Sequence, residues 1–201
     1  MKTGIGYKTS TAKTKQLTLA SAIAALYAIL VSILPATSIP IIQVRVADVL
    51  MPLSILFGWP AIVGVTIGAG LGNLVGDTIL GNSGAATGVD VVLGSLANLL
   101  TSWLAWRIGS TNWTIKGRRV SWLLAVNTET IVIALIVGTY LGWLFSLPLF
   151  ISISGILAGS VLAISIGGYL ILRVLGLPKT LEALASTGLL AQQPTPELVR
   201  D

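Results

Sequence analysis

Residues 42–60 read IQVRVADVLMPLSILFGWP, with Arg45 and Asp48 three positions apart at the head of an apolar run. Charges are scarce elsewhere: of 201 residues, 54% are hydrophobic and 9% charged. An ordinary soluble domain carries about a quarter charged residues. Mean hydropathy is +0.92. Such a chain lacks the polar surface to cover itself in water, so it reads as a membrane protein whose length suits one helical bundle. In that setting an ionised group at mid-bilayer costs about 2.5–3.5 kcal/mol even on a lenient insertion scale. The Arg45–Asp48 pair therefore needs a reason.

Working outward, six apolar stretches stand out: Leu17–Leu34, Val46–Phe57, Pro60–Leu80, Val89–Ile108, Val120–Ser146 and Leu149–Leu175. A helical span needs about 20 residues to cross a core about 30 Å thick. Most of these qualify. The second is short and carries Pro52, so it is expected to be kinked, partly inserted or extended by its flanks. Breaks fall at PATSIP (35–40), GWP (58–60), GNSG (81–84) and SLP (146–148). The expected fold is all-α, a six-transmembrane-helix bundle over residues 17–175. A basic tail, residues 1–16, precedes it, and a second tail, 176–201, follows. The apolar run of the first segment exceeds the roughly 7–15 residues of a signal peptide. It is expected to stay as a span.

Charge sets the orientation. With the N-terminus in the cytoplasm and six crossings, every lysine and arginine of the 12 falls on the cytoplasmic side except Arg45. Both termini are then cytoplasmic, in a multi-pass protein of the plasma membrane. Asp48, Asp77 and Asp90 lie toward the outer side with Arg45. The net charge of +5 is thus topological and gives no reason to invoke nucleic acid.

Small residues recur every four positions in two segments: Gly64, Gly68, Gly72 and Gly76, then Gly155, Gly159, Ala163 and Gly167. In lipid such faces let backbones approach closely, and internal packing is the favoured reading of both. Ala20, Ala24 and Ala28 form a similar stripe on the first segment. There two readings stand, internal packing or a docking face for another membrane subunit.

The polar residues inside or beside the spans are the candidate site. Gln43, Arg45 and Asp48 head the second segment. Asn73 and Asp77 close the third on one helical face. Asp90 opens the fourth, with Asn98 two turns deeper, and Tyr140 and Trp143 end the fifth at a similar level. Bland alternatives exist for each. Arg45 and Asp48 could simply pair, and Asp48 and Asp90 could answer helix dipoles. Trp143 could belong to an interfacial belt, as Trp103, Trp106, Trp113 and Trp122 are expected to on the cytoplasmic side. Asn127 and Glu129 lie about 10–14 Å inside the fifth segment from its cytoplasmic end at about 1.5 Å per residue. Glu129 is open to three readings: a ligand group, a structural hydrogen bond, or a lock whose partner moves.

Absences narrow the chemistry. With 0 cysteines and 0 histidines there is no thiol nucleophile, disulfide or imidazole chemistry, and no zinc or haem site is expected. No GxxxxGK[ST], GxSxG or HExxH pattern occurs. No cofactor and no enzymatic activity are expected. What remains is recognition by donors, acceptors and aromatic faces.

The run from Gln43 to Asp77, followed by GVDVVLGSLANLLTSWLAWRI, resembles the queuosine-precursor transporter family, whose members are substrate-binding (S) components of energy-coupling factor transporters. The family signature Q-x-R-x-S-E-x-L becomes Gln43, Arg45, Ala47, Asp48 and Leu50 here. G-x-x-x-x-N becomes Gly68 to Asn73, and D-x-x-x-G-S-L-A-x-L becomes Asp90, Gly94, Ser95, Leu96, Ala97 and Leu99. Asn127 sits where the family tends to have an asparagine. The resemblance implies a six-helix fold that binds a 7-deazaguanine base from outside, with a membrane coupling subunit and two ATPases as partners. It also implies that Ala20, Ala24 and Ala28 dock on the coupling subunit. Two departures stand out. Ala47 and Asp48 replace Ser-Glu, shortening the carboxylate's reach, and Gly155 is followed by Ile156 where members often carry a glutamate. The nearest alternatives are the same fold importing another vitamin-like molecule, and a membrane scaffold with no ligand.

Overall fold

The computed structural model describes residues 5–33, 44–111, 113–115 and 118–192. Its elements are helix α1 (Ile5–Ile33), a 3-10 helix (Val46–Leu50), α2 (Leu53–Phe57), α3 (Trp59–Leu80) and α4 (Gly84–Gly109). A small hairpin of β1 (Thr114–Ile115) and β2 (Arg118–Arg119) leads to α5 (Val120–Leu144). The last span joins α6 (Leu149–Ser160), a π-helix (Val161–Gly168) and α7 (Tyr169–Leu175), and α8 (Pro178–Thr187) follows. Among the described residues, 5 helices are long and apolar enough to cross a membrane.

The second apolar segment differs from the other spans. At about 1.5 Å per residue, Val46–Phe57 reaches about 18 Å, well short of a hydrocarbon core. Pro52 divides it, as its ring removes a donor and ends the 3-10 turn before α2 begins. The expected six crossings become five long helices and one short, broken one.

Helix order explains why that short piece matters. Gly64 faces Ala20 and Ile23, Gly68 faces Ala24 and Tyr27, and Gly72 faces Val31. Rising numbers on α3 meet rising numbers on α1, so the two helices run parallel. The chain between Ile33 and Trp59 must therefore return to the starting end. Arg45 and Asp48 share a cavity with Asn98 in the middle of α4. Ile55 packs on Gly109 at the α4 end, and Gly58 lies beside Trp106. The short segment thus lines only the half of the bundle where α1 begins. Gly58 then reverses the chain with φ +61, a conformation glycine adopts without strain.

The successive long spans α3–α4, α4–α5 and α5–α6 are antiparallel. Gly70 meets Ser95 and Gly138 meets Ile153. Ser102 bonds Glu129. Lys15 Nζ donates to the Thr187 carbonyl at 3.2 Å, which brings the start of α1 to α8. Both ends of the described chain therefore lie on one side of the bundle, together with Lys13, Arg107, Arg119, Arg173 and Lys179. Trp122 is buried there beneath the Arg119 guanidinium, 4.3 Å from its ring centre, so it is an internal group and not part of an interfacial belt.

Packing in lipid relies on close contact, since hydrocarbon outside a helix is as apolar as leucine inside. Leu71, Leu96 and Ile131 accordingly face outward, while Ile62, Val65, Ala69, Ala105, Ala125 and Ile164 are sealed. The glycine stripe of α3 packs internally, and it does so against the alanine stripe of α1. Ala20 and Ala24 are buried, and a Cβ on Gly68 would lie 2.8 Å from the Ala24 carbonyl. That corrects the docking reading of this stripe: Ala20 and Ala24 are engaged within the chain and Ala28 is half-buried. The outward small residues of the same stretch are Ser21, Ala22 and Ala25.

In the last span Gly167 accommodates Val49, and a Cβ on Gly168 would lie 2.6 Å from Pro52. The π-helix thus widens the span where the broken segment presses on it, a local irregularity of the kind often found at functional sites.

Candidate functional site

A polar cluster crosses the bundle at the level where the 3-10 helix begins. Asp48, Asn73, Asp90 and Asn98 are all buried, and Arg45 is half-buried. The charge of Arg45 reaches Asp48, Asp90, Tyr27 and Tyr140. Residues from α1, the 3-10 helix, α4 and α5 therefore converge on one guanidinium.

The cluster has two layers. Toward the end where α1 finishes, the Tyr140 hydroxyl donates to Asp90 Oδ1. Asn73 Nδ2 donates to the Asp90 carbonyl at 3.1 Å. Gly94 makes this convergence possible, because a Cβ there would lie 2.6 Å from Asn73 Nδ2 and 3.3 Å from the Tyr140 oxygen. Nearer mid-bundle, the Tyr27 hydroxyl donates to Asp48 Oδ1. Asn98 Nδ2 donates to the Tyr27 oxygen at 2.9 Å and to the Val65 carbonyl at 3.3 Å.

Between these groups lies a cavity of about 20 Å³ lined by Arg45, Asp48, Asn98, Ile133, Val137, Ile156 and Ser160. Among the described residues Arg45 donates no side-chain hydrogen bond, and none reaches Asp48 Oδ2 or Asn98 Oδ1. Among the described residues the cavity therefore offers guanidinium donors and two acceptors beside three aliphatic walls. That set can recognise a flat polar molecule offering N–H donors along one edge and an acceptor beside them.

The sequence candidates divide accordingly. Arg45, Asp48 and Asn98 line the cavity, while Asn73 and Asp90 form the layer beyond it. Gln43 lies outside the described residues. Trp143 is 72% exposed and does not join the cluster. Its position at the helix end gives no way to separate it from buried Tyr140. Asn127 is exposed and donates to the Leu123 carbonyl of its own helix, and Ser165 Oγ approaches its Oδ1 at 3.5 Å. Helix phase turns it toward the π-helix, away from the cavity. Asp77 accepts from Asn82 Nδ2 at 3.1 Å and closes the turn after α3.

Glu129 is fully buried. Its Oε1 accepts from Ser102 Oγ at 3.1 Å, while Oε2 is sealed and has no partner among the described residues. Ser102 and Glu129 lie about one turn nearer the basic end than Asn98 and Ile133 do, so Glu129 lies below the cavity and does not line it. Of its three readings, the hydrogen bond to another helix is the contact present.

Two residues escaped sequence reasoning. Tyr27 looks like one more aromatic in an apolar helix, and Ser160 like one more small residue in a stripe. Tyr27 follows Ala20 by seven positions and Ala24 by three, which places it on the face of the small-residue stripe. That shared face is the local signal that could have flagged it. Ile156, the residue that departs from the family pattern, is one of the cavity walls.

No curated protein and no solved structure matches the chain. The family model described as QueT transporter matches residues 17–176, which takes in the cavity and all five long helices except the first turns of α1. The bundle and its membrane spans agree with that match: this chain belongs to the QueT transporter family, a multi-pass transporter of the plasma membrane.

Proposed function

We propose that this chain is the substrate-capture (S) component of an energy-coupling factor importer for a queuosine or archaeosine precursor, a 7-deazaguanine base. The base is taken from the outer face and moved by reorientation of the bundle, driven by two ATPases acting through a membrane coupling subunit. The observation that carries this reading is that Arg45, Asp48 and Asn98 line one cavity together with Ile133, Val137 and Ile156. A guanine-type edge supplies adjacent N–H donors for Asp48 Oδ2 and Asn98 Oδ1, and its carbonyl accepts from Arg45. Ile133, Val137 and Ile156 offer apolar walls for the ring faces. Leaving such buried groups unpaired is costly, which is the basis of rejection of analogues without that edge.

At about 20 Å³ the cavity holds a water but not a base, so entry requires its walls to part. The Tyr140–Asp90 contact between α4 and α5 lies on the outer side and is the contact that opening would break. Asn73 holds that layer in place. The basic end, which carries both ends of the described chain, is cytoplasmic by the positive-inside bias. With Ala20 and Ala24 engaged by α3, the coupling subunit would meet the outward face of α1 at Ser21, Ala22 and Ala25.

The test is mass spectrometry of small molecules retained by protein purified from cells supplied with deazaguanine bases. A retained species with a deazaguanine mass and absorbance is the expected result. Retention of a different heterocycle, or of none, would count against the substrate.

A further inference from the structure

Tyr27 is fully buried on α1, with its phenol between Asn98 and Asp48. The direction of each hydrogen bond follows from chemistry. An amide nitrogen can only donate, so the phenol oxygen accepts from Asn98. Its single proton is then left for Asp48 Oδ1. The second Asn98 N–H goes to the Val65 carbonyl. A flipped Asn98 would set its carbonyl against that of Val65 and leave the phenol oxygen without its donor. A chain of hydrogen bonds thus links the α3 backbone, Asn98, Tyr27 and Asp48, with Asn98 donating in both directions. Its effect is that Asp48 Oδ2 and Asn98 Oδ1 both remain as acceptors beside the cavity, with Arg45 as the donor.

We propose that Tyr27 is a positioning residue that sets ligand specificity: its phenol, held between Asn98 and Asp48, keeps both as acceptors, so the site takes heterocycles with two adjacent N–H donors. This rests on the functional reading above and adds to it a residue that does not itself touch the base. It also ties the ligand site to α1, because Tyr27 packs on Gly68 where α1 crosses α3. Without the phenol, Asn98 loses one of the two contacts that orient it and Asp48 loses the donor that fixes its rotamer. The site then distinguishes less sharply between a base with two donors and a base with one.

The experiment compares two probes, 7-deazaguanine and 7-deazahypoxanthine, which lacks the exocyclic amine. Full-length wild type, Tyr27→Phe and Asp48→Asn are titrated with each in lipid nanodiscs. Tyr27→Phe is expected to lose about tenfold in affinity for 7-deazaguanine and clearly less for 7-deazahypoxanthine, so the ratio between them shrinks. A merely structural role would weaken both probes equally, and that result, or an unchanged affinity, overturns the inference. Should Tyr27→Phe fail to fold, Asn98→Asp keeps the shape but cannot donate to Tyr27 or Val65. It too must shrink the ratio, and an unchanged ratio is again fatal. Failure of the functional reading looks different: wild type then binds neither probe, and the inference falls with it. Binding by wild type that Asp48→Asn weakens, with an unaltered ratio in Tyr27→Phe, removes the role of Tyr27 alone.

Discussion

Asp48→Asn is expected to lower affinity for a deazaguanine base on the order of a hundredfold while leaving thermal stability nearly unchanged. The substitution keeps the shape of the side chain and its carbonyl can still accept from Tyr27. What it changes is the atom facing the cavity, since an amide N–H would replace Asp48 Oδ2 and oppose the ligand's own N–H. A hydrogen bond to a charged group contributes about 1.5–3 kcal/mol, and leaving a buried donor unpaired adds to the loss. Arg45 would also lose the charge of one of the carboxylates it interacts with. Calorimetric titration of the purified variant beside wild type checks this. An affinity within about threefold of wild type, the scale of an ordinary surface substitution, would remove Asp48 from the site.

The second large effect is on the fold. Gly68→Val is expected to destabilise the bundle and abolish ligand binding together. A Cβ at Gly68 would lie 2.7 Å from the Tyr27 Cβ and 2.8 Å from the Ala24 carbonyl. One of these contacts is backbone, so no rotamer change relieves it and α1 must move away from α3. Overpacking of this kind costs about 1–3 kcal/mol, and in lipid the close contact being lost is itself the main source of helix association. Displacing α1 also carries Tyr27 away from Asp48. Gly84→Ala is the control, because nothing lies within 4 Å of a Cβ there. A melting temperature in detergent that falls for Gly68→Val and holds for Gly84→Ala is the expected result. Equal stability of the two would contradict the packing described for the α1–α3 pair.

What the sequence makes legible, and what it does not, follows from the range of each interaction. The long helices are readable because span length and apolar content are local properties, and the short second segment with Pro52 is readable for the same reason. Arg45, Asp48 and Asn98 stand out because polar groups are expensive in lipid wherever they point. Direction is harder. Periodicity marks a face of small residues but not its partner, so the Ala20–Ala24 stripe reads equally as docking surface until the α3 glycines are placed against it. Trp143 and Tyr140 lie three residues apart, close to one face of the same helix, yet Trp143 is exposed and Tyr140 bonds Asp90. Tyr27 goes unnoticed because its value depends on Asp48 and Asn98, which are remote in the chain. The parallel run of α1 and α3 likewise depends on which glycine meets which alanine, and no local pattern records it.

The central claim is that donors and acceptors from separate helices meet in one cavity as the complement of a guanine-type edge. Titration of the wild-type protein in lipid nanodiscs with 7-deazaguanine and with 7-deazaadenine tests it most directly, because the two bases share a ring system and differ in that edge. Saturable one-to-one binding of 7-deazaguanine, with no measurable binding of 7-deazaadenine, is the result this arrangement requires. Equal affinity for the two bases, or no heat with either, would contradict it.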